Sequence, residues 1–438
     1  MTGELTDAPS TIYDMLTDAD MRFPTITDAD GQAVELTQGR YRGMISSKDR
    51  RVRRESFEAM MGTYAKYGNT FAATYAASVK SDVFEARARR FDGALQASLH
   101  PDEVPVAVYD HLIDAIHAAI PTLQRYINLR KPILGLDEVH LYDLYVNMVQ
   151  DFDLPLTYPE AFDLVLEALA PLGEEYVDKL REARAQGWVD VYESEGKSSG
   201  AYSWGVYGVH PFVLLNFEKG IDAASTLAHE LGHAMHSDYS NGAQAFPQAE
   251  YSLFAAEVAS TVNEILLSCH LLRKYPDKAA QAYVMGELME GFRTTVFRQT
   301  LFAEFERESH AMAERGEALT REALSARYLE INRQYYGGCC VMDDAICQEW
   351  MRIPHFYRAF YVYKYATGFS AAVTIARRIL REGAPAVADY QRFLRAGKSL
   401  PPMEALRLAG VDMATEKPVR DAMDWFAQIV EQFEALMQ

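Results

Sequence analysis

Apolar residues recur at three- and four-residue steps over most of the 438-residue chain, the pattern of helices that bury one face. Val52, Phe57, Met60, Met61 and Tyr64 carry this period between residues 49 and 67. The same spacing predicts helices over 104–129, over 158–185, and from 403 to the end. Pro105, Pro159 and Pro276 stand near the starts of such segments, where a missing N–H costs nothing. The period breaks over residues 188–217, where β-prone runs at 189–192, 201–207 and 212–217 are cut by Gly196, Gly200, Gly205 and Gly208. Those runs predict a small antiparallel sheet. Helical period then resumes in STLAHELGHAMHSDYS (225–240), with Leu227, Ala228, Leu231, Ala234 and Met235 as its apolar stripe and Asp222 or Ser225 available as N-cap. With no internal repeat to suggest a solenoid, the expected architecture is mainly α: a helical N-terminal lobe over 1–187, and a lobe over 188–438 holding the sheet, the histidine-bearing helix and further helices.

Composition narrows the partners. The chain is 49% hydrophobic and 24% charged, an ordinary balance for a globular protein. A formal charge of −19 opposes the phosphate backbone of nucleic acid, and the basic stretches SSKDRRVRR and EARARR read as solvated helix faces. No run approaches the ~20 apolar residues of a membrane span, and the first residues lack the charged and apolar regions of a secretory leader. Cys269, Cys339, Cys340 and Cys347 match neither a zinc ribbon nor a disulfide framework. Reduced thiols in a cytoplasmic protein are expected. Gly196-Lys197-Ser198 is no phosphate loop, because Val191 stands where that loop needs glycine.

The candidate chemistry sits in the histidine helix. His229 and His233 are one turn apart, about 6 Å along the axis, so both imidazoles can converge on one ion at zinc distances. Glu230, about 100° around the helix from His229, can stand beside that ion without binding it, as a base acting on an activated water requires. Gly232 lets another backbone come close. His236 shares the face of His229 but lies about 10 Å along, too far to bind the same ion. A contact to a ligand or to substrate, or a surface position, suits it. The longer three-histidine motif fails, since His236 fills its glycine position and Tyr239 its last histidine position.

A catalytic metal needs a third protein ligand and an open position. Asp238 is too close in sequence to turn back, and Glu250 falls at a helix start, where a carboxylate has a capping role. Glu257, within AAEVAST, has small neighbours that allow close packing on the histidine helix, and two antiparallel helices joined by a loop would bring it to the ion. Glu264, two turns on, suits a hydrogen bond orienting a ligand histidine.

HELGHAMH followed by FAAEVAST resembles the zinc oligopeptidases of the M3 peptidase group, in particular the oligoendopeptidase F branch. SGAYSWGVYGVHPFVLLNF before the motif and IPHFYRAFYVYKYATG after it are similar to that branch too. The resemblance covers nearly the whole chain. It implies a mostly helical, two-lobed, zincin-like metallopeptidase, with the small sheet beside the zinc helix and a deep internal channel admitting short unfolded peptides. One Zn2+ would be bound by His229, His233 and Glu257, with Glu230 as general base. Family members carry a further helical N-terminal region, and this chain is expected to begin inside it.

HFYRAFYVYKYATGF, 355–369, is read as one helix with Tyr357, Tyr361 and Tyr365 on one face. By itself that stripe suits an aromatic core. The resemblance implies instead a histidine followed by tyrosines that close on the substrate and steady the oxyanion. His355 matches by position. Phe360 and Lys364 fall where tyrosines are expected, which leaves Tyr365, then Tyr361, for the role. The edge strand near Tyr202 and Gly205, running to Val209, would hold the peptide extended. Two rivals remain: a zinc exopeptidase, and a non-hydrolytic peptide-binding relative.

Overall fold

The computed structural model describes residues 3–149 and 154–438. The chain is mainly helical, and by contact it forms two compact units. One takes Met1–Pro101, His117–Gln150 and Phe297–Tyr363; the other takes Asp102–Ile116, Asp151–Val296 and Lys364–Gln438. The sequence suggested a single boundary at 187/188; instead the chain visits each unit more than once. The cause is packing between helices far apart in sequence: Gly68–Ala88 with Arg298–Glu314 in the first unit, and Lys278–Gly291 with Lys417–Met437 in the second.

In the first unit, the helix Arg50–Lys66 starts where the Asp49 carboxylate accepts from the Arg51 N–H at 2.9 Å. Its apolar side packs into a buried aromatic core that includes Tyr64, Phe71, Tyr75, Phe305, Trp350 and Phe356. Buried Asp143 accepts from Arg53 at 2.7 Å and Arg50 at 2.8 Å. Burial raises its pKa, but these two guanidiniums and the His140 N–H outweigh that and hold it below the usual carboxylate range. A two-stranded antiparallel ribbon, Thr25–Thr27 with Ala33–Glu35, was not foreseen.

The second unit is built on three mutually packed helices, Tyr158–Leu169, Ile221–Ala243 and Leu253–Lys274. Several elements differ from expectation. Residues 158–185 form two helices, because Gly173 adopts φ 90 after Leu172 and starts a new one, Glu174–Ala185. The C-terminal segment also divides, into Pro402–Leu408 and Lys417–Met437. The histidine helix begins at Ile221, after Gly220 at φ 143, with neither Asp222 nor Ser225 as N-cap. The sheet has the order Val189–Asp190, Phe212–Leu214, Tyr202–Trp204. Its first pair is parallel and its second antiparallel. The chain leaves Val189–Asp190, forms the outer strand, and returns between them, so the first strand and the central one point the same way. Regular pairing stops at Trp204, short of Val209.

Candidate metal centre

The histidine helix and the helix Leu253–Lys274 run antiparallel: Ser237 meets Tyr251, Gly232 meets Ser260, and Ala228 meets Asn263. Gly232 permits the approach. A Cβ there would stand 2.5 Å from Ser260 Cα and 2.8 Å from the Ala259 carbonyl oxygen. Asn263, fully buried, donates to the Ala228 carbonyl at 3.0 Å and accepts from the Tyr176 hydroxyl at 3.1 Å. This fixes the register just before His229.

That register brings three donor atoms together. His229 Nε2 and His233 Nε2 are 3.1 Å apart, and Glu257 Oε2 lies 3.5 Å from the first and 3.6 Å from the second. A tetrahedral zinc with bonds of about 2.0–2.1 Å separates its ligand atoms by about 3.3 Å, so the trio fits one such ion. His229 Nδ1 is 2.7 Å from Glu264 Oε1. Donating its proton there leaves the Nε2 lone pair free for a metal. Burial alone would lower the pKa of His229, but the hydrogen bond to Glu264 and the nearby Glu257 and Glu230 carboxylates raise it to about 9. The contact to His233 depresses the pKa of Glu257, keeping that ligand anionic.

The site is open. The Glu257 side chain keeps 45% of its surface and His229 keeps 26%, which suits a centre retaining a position for water more than a closed structural one. Glu230 is buried, and its Oε2 meets no hydrogen-bond partner among the described residues. Burial raises its pKa, opposed by His229 and His233. A carboxylate oxygen left unsatisfied beside a metal-binding trio is placed to accept a proton.

The other expected site residues are distributed more widely. His236 is no surface group. It is 1% exposed, stacked on Tyr251 at 3.6 Å, with Nδ1 lacking a hydrogen-bond partner among the described residues, and burial holds its pKa near 3. Gly205 packs against Ser237, where a Cβ would stand 2.5 Å from Oγ, and Tyr202 is exposed on the outer strand. Residues 355–369 are not one helix. A short turn at Pro354–Tyr357 ends, Phe360 adopts φ 55, and a helix starts at Tyr363. Tyr365 belongs to the second unit with the metal trio. His355 and Tyr361 belong to the first, their rings stacked at 6.1 Å with Arg358 over Tyr361. Tyr357 packs on Tyr13 in that unit. Sequence reasoning missed Asn263 and Tyr251; an asparagine inside an apolar helical stripe was the available signal for the former.

Residues 43–425 match the model of peptidase family M3. The chain belongs to that family. It is 45% identical to oligopeptidase PepF of Bacillus subtilis over 435 residues, 99% of this chain and 65% of PepF. It is 39% identical to the group B oligopeptidase PepB of Streptococcus agalactiae, covering 99% of this chain and 72% of PepB. The crystal structure of oligoendopeptidase-F from Enterococcus faecium superposes with a TM-score of 0.84 at 37% identity, covering 100% of this chain and 73% of that one. The chain thus spans roughly two thirds to three quarters of these M3 relatives. No helix among the described residues is long and apolar enough to cross a membrane.

Within this M3 chain, Glu264 meets His229 Nδ1 at 2.7 Å and stands outside the trio that could hold an ion. Glu264→Ala is expected to weaken metal binding by about 10–100-fold, while Glu264→Gln, which can still accept from Nδ1, loses less. Competition titration with a chelating dye measures both; equal affinity in all three proteins would remove Glu264 from the site.

Proposed function

We propose that the chain is a zinc-dependent endopeptidase hydrolysing short, unfolded oligopeptides. The observation carrying this reading is the trio His229, His233 and Glu257, spaced for one ion, with Glu230 beside it, its Oε2 without a hydrogen-bond partner among the described residues. Bound there, zinc supplies Lewis acidity to a water and to the scissile carbonyl. Glu230 takes the proton of the attacking water and delivers it to the leaving amine. Glu264 holds the His229 tautomer, and Asn263 with Gly232 holds the two helices in register. The outer strand at Tyr202 extends the peptide beside the site. The roles of His355 and of Tyr365 or Tyr361 in steadying the oxyanion rest on the resemblance to the family. The low cysteine count and the acidic charge agree with a cytoplasmic enzyme without a nucleic-acid partner.

A peptide of about ten residues blocked at both termini separates this reading from an exopeptidase. Internal cleavage with one zinc per chain is the expected result, read by mass analysis of products and by metal analysis. Cleavage only of peptides with a free end would establish the exopeptidase alternative. Peptide binding without turnover would establish the non-hydrolytic one.

A further inference from the structure

The register of the sheet decides which backbone groups face its open edge. The N–H groups of Val213 and Leu215 donate to Trp188 and Asp190 carbonyls at 2.8 Å, so the alternate residues Phe212 and Leu214 direct their polar groups to the outer strand. Tyr202 and Trp204, paired with Leu214 and Phe212, turn theirs inward to meet them. The N–H and C=O of Ser203 therefore point outward.

Side chains follow the same alternation. Ser203 and Val213 turn toward the protein interior. Tyr202, Trp204, Phe212 and Leu214 share the opposite face, where Tyr202 is 48%, Trp204 66% and Phe212 48% exposed. Aromatic packing continues behind them: His210 lies 4.6 Å from Phe212, and buried Trp188 stacks on His210 at 5.3 Å. Asp190, on the far strand of that face, is held by Lys197 at 3.1 Å. The edge is continuous with the metal centre, because Gly205 packs on Ser237, one turn past His233.

We propose that this face selects substrate side chains. Resting on the peptidase reading above, an extended peptide pairs one residue with the outward groups of Ser203. Its two neighbours, one residue apart on either side, then present their side chains to the aromatic face, one against Trp204 and one against Tyr202. Both positions favour bulky apolar side chains, aromatic ones most, and the intervening position is indifferent to Trp204.

The test uses the chain carrying Glu230→Gln, so that peptides bind without turnover, and blocked peptides varied one position at a time among Phe, Ala and Arg. Calorimetric dissociation constants should favour Phe over Ala by roughly tenfold at two positions separated by one. Adding Trp204→Ala should reduce the ratio at one of them to under twofold, and Trp204→Phe should restore most of it. A ratio that survives Trp204→Ala, preference at every position, or Arg exceeding Phe overturns the proposal. So does a dimer, seen by light scattering, that Trp204→Ala dissociates, since the face would then serve a second copy. Turnover by the chain with Glu230 intact is read separately. Turnover without a Phe preference sinks the aromatic face alone; a Phe preference without turnover sinks the peptidase reading alone.

Discussion

Glu230→Gln is expected to lower the rate of peptide hydrolysis by about 10²–10⁴-fold and to leave zinc content at one ion per chain. The substitution keeps size and removes basicity. Because Glu230 Oε2 has no partner among the described residues, no hydrogen bond of the fold is lost. The atoms spaced to hold an ion belong to His229, His233 and Glu257, so on the proposed reading metal binding has no direct dependence on Glu230. Single-turnover hydrolysis together with metal analysis on one preparation checks both halves. Turnover within a few-fold of the parent would remove Glu230 as the base. Loss of zinc along with activity would make it part of the metal's support instead.

Gly232→Val is expected to damage fold and site together. A Cβ at 232 would stand 2.5 Å from Ser260 Cα and 2.9 Å from Ser260 N, and backbone of a buried helix cannot move aside as a flexible side chain can. The two helices must separate, costing about 3 kcal/mol or more. The separation moves Glu257 away from the histidines, so metal affinity falls as well. Gly232→Ala meets the same backbone with one methyl and should show both effects more weakly. Thermal unfolding with and without added zinc measures them: the parent's midpoint rises on adding zinc, whereas Gly232→Val should unfold earlier and show little rise. An unchanged midpoint and an unchanged zinc response would mean that the helices are not packed as described.

Much of the metal centre was legible because an α-helix fixes the relative placement of its own residues. His229 and His233 must share a face, Glu230 must stand to one side, and His236 must lie too far along. Glu257 was legible for a second local reason: a carboxylate among alanines and a serine fits neither an exposed nor an apolar face. Asn263 was not, since its task is a hydrogen bond to Ala228 on another helix, which exists only once the register is set. The burial of His236 against Tyr251 depends on the same register.

The segment 355–369 shows the opposite case. Its tyrosine spacing satisfies helical period, yet Phe360 takes a left-handed conformation that costs a bulky residue energy. The buried Glu306 carboxylate accepts the Phe360 N–H at 3.0 Å, and the His310 ring lies 4.5 Å from Phe360. Those contacts come from a helix about fifty residues earlier, so local spacing could not report them. The sheet behaves alike. Its runs were visible from β-propensity, but the parallel pairing of Val189–Asp190 with Phe212–Leu214 followed from how the chain crosses between them. From residue order alone came the helical class, the pair His229 and His233, the adjacent Glu230 and the candidate third ligand Glu257, because those follow from geometry within a few turns of chain. The interleaving of the two units, the break at Phe360, the helix register and the outward groups of Ser203 were settled by contacts between segments distant in sequence, whose energies no local pattern encodes.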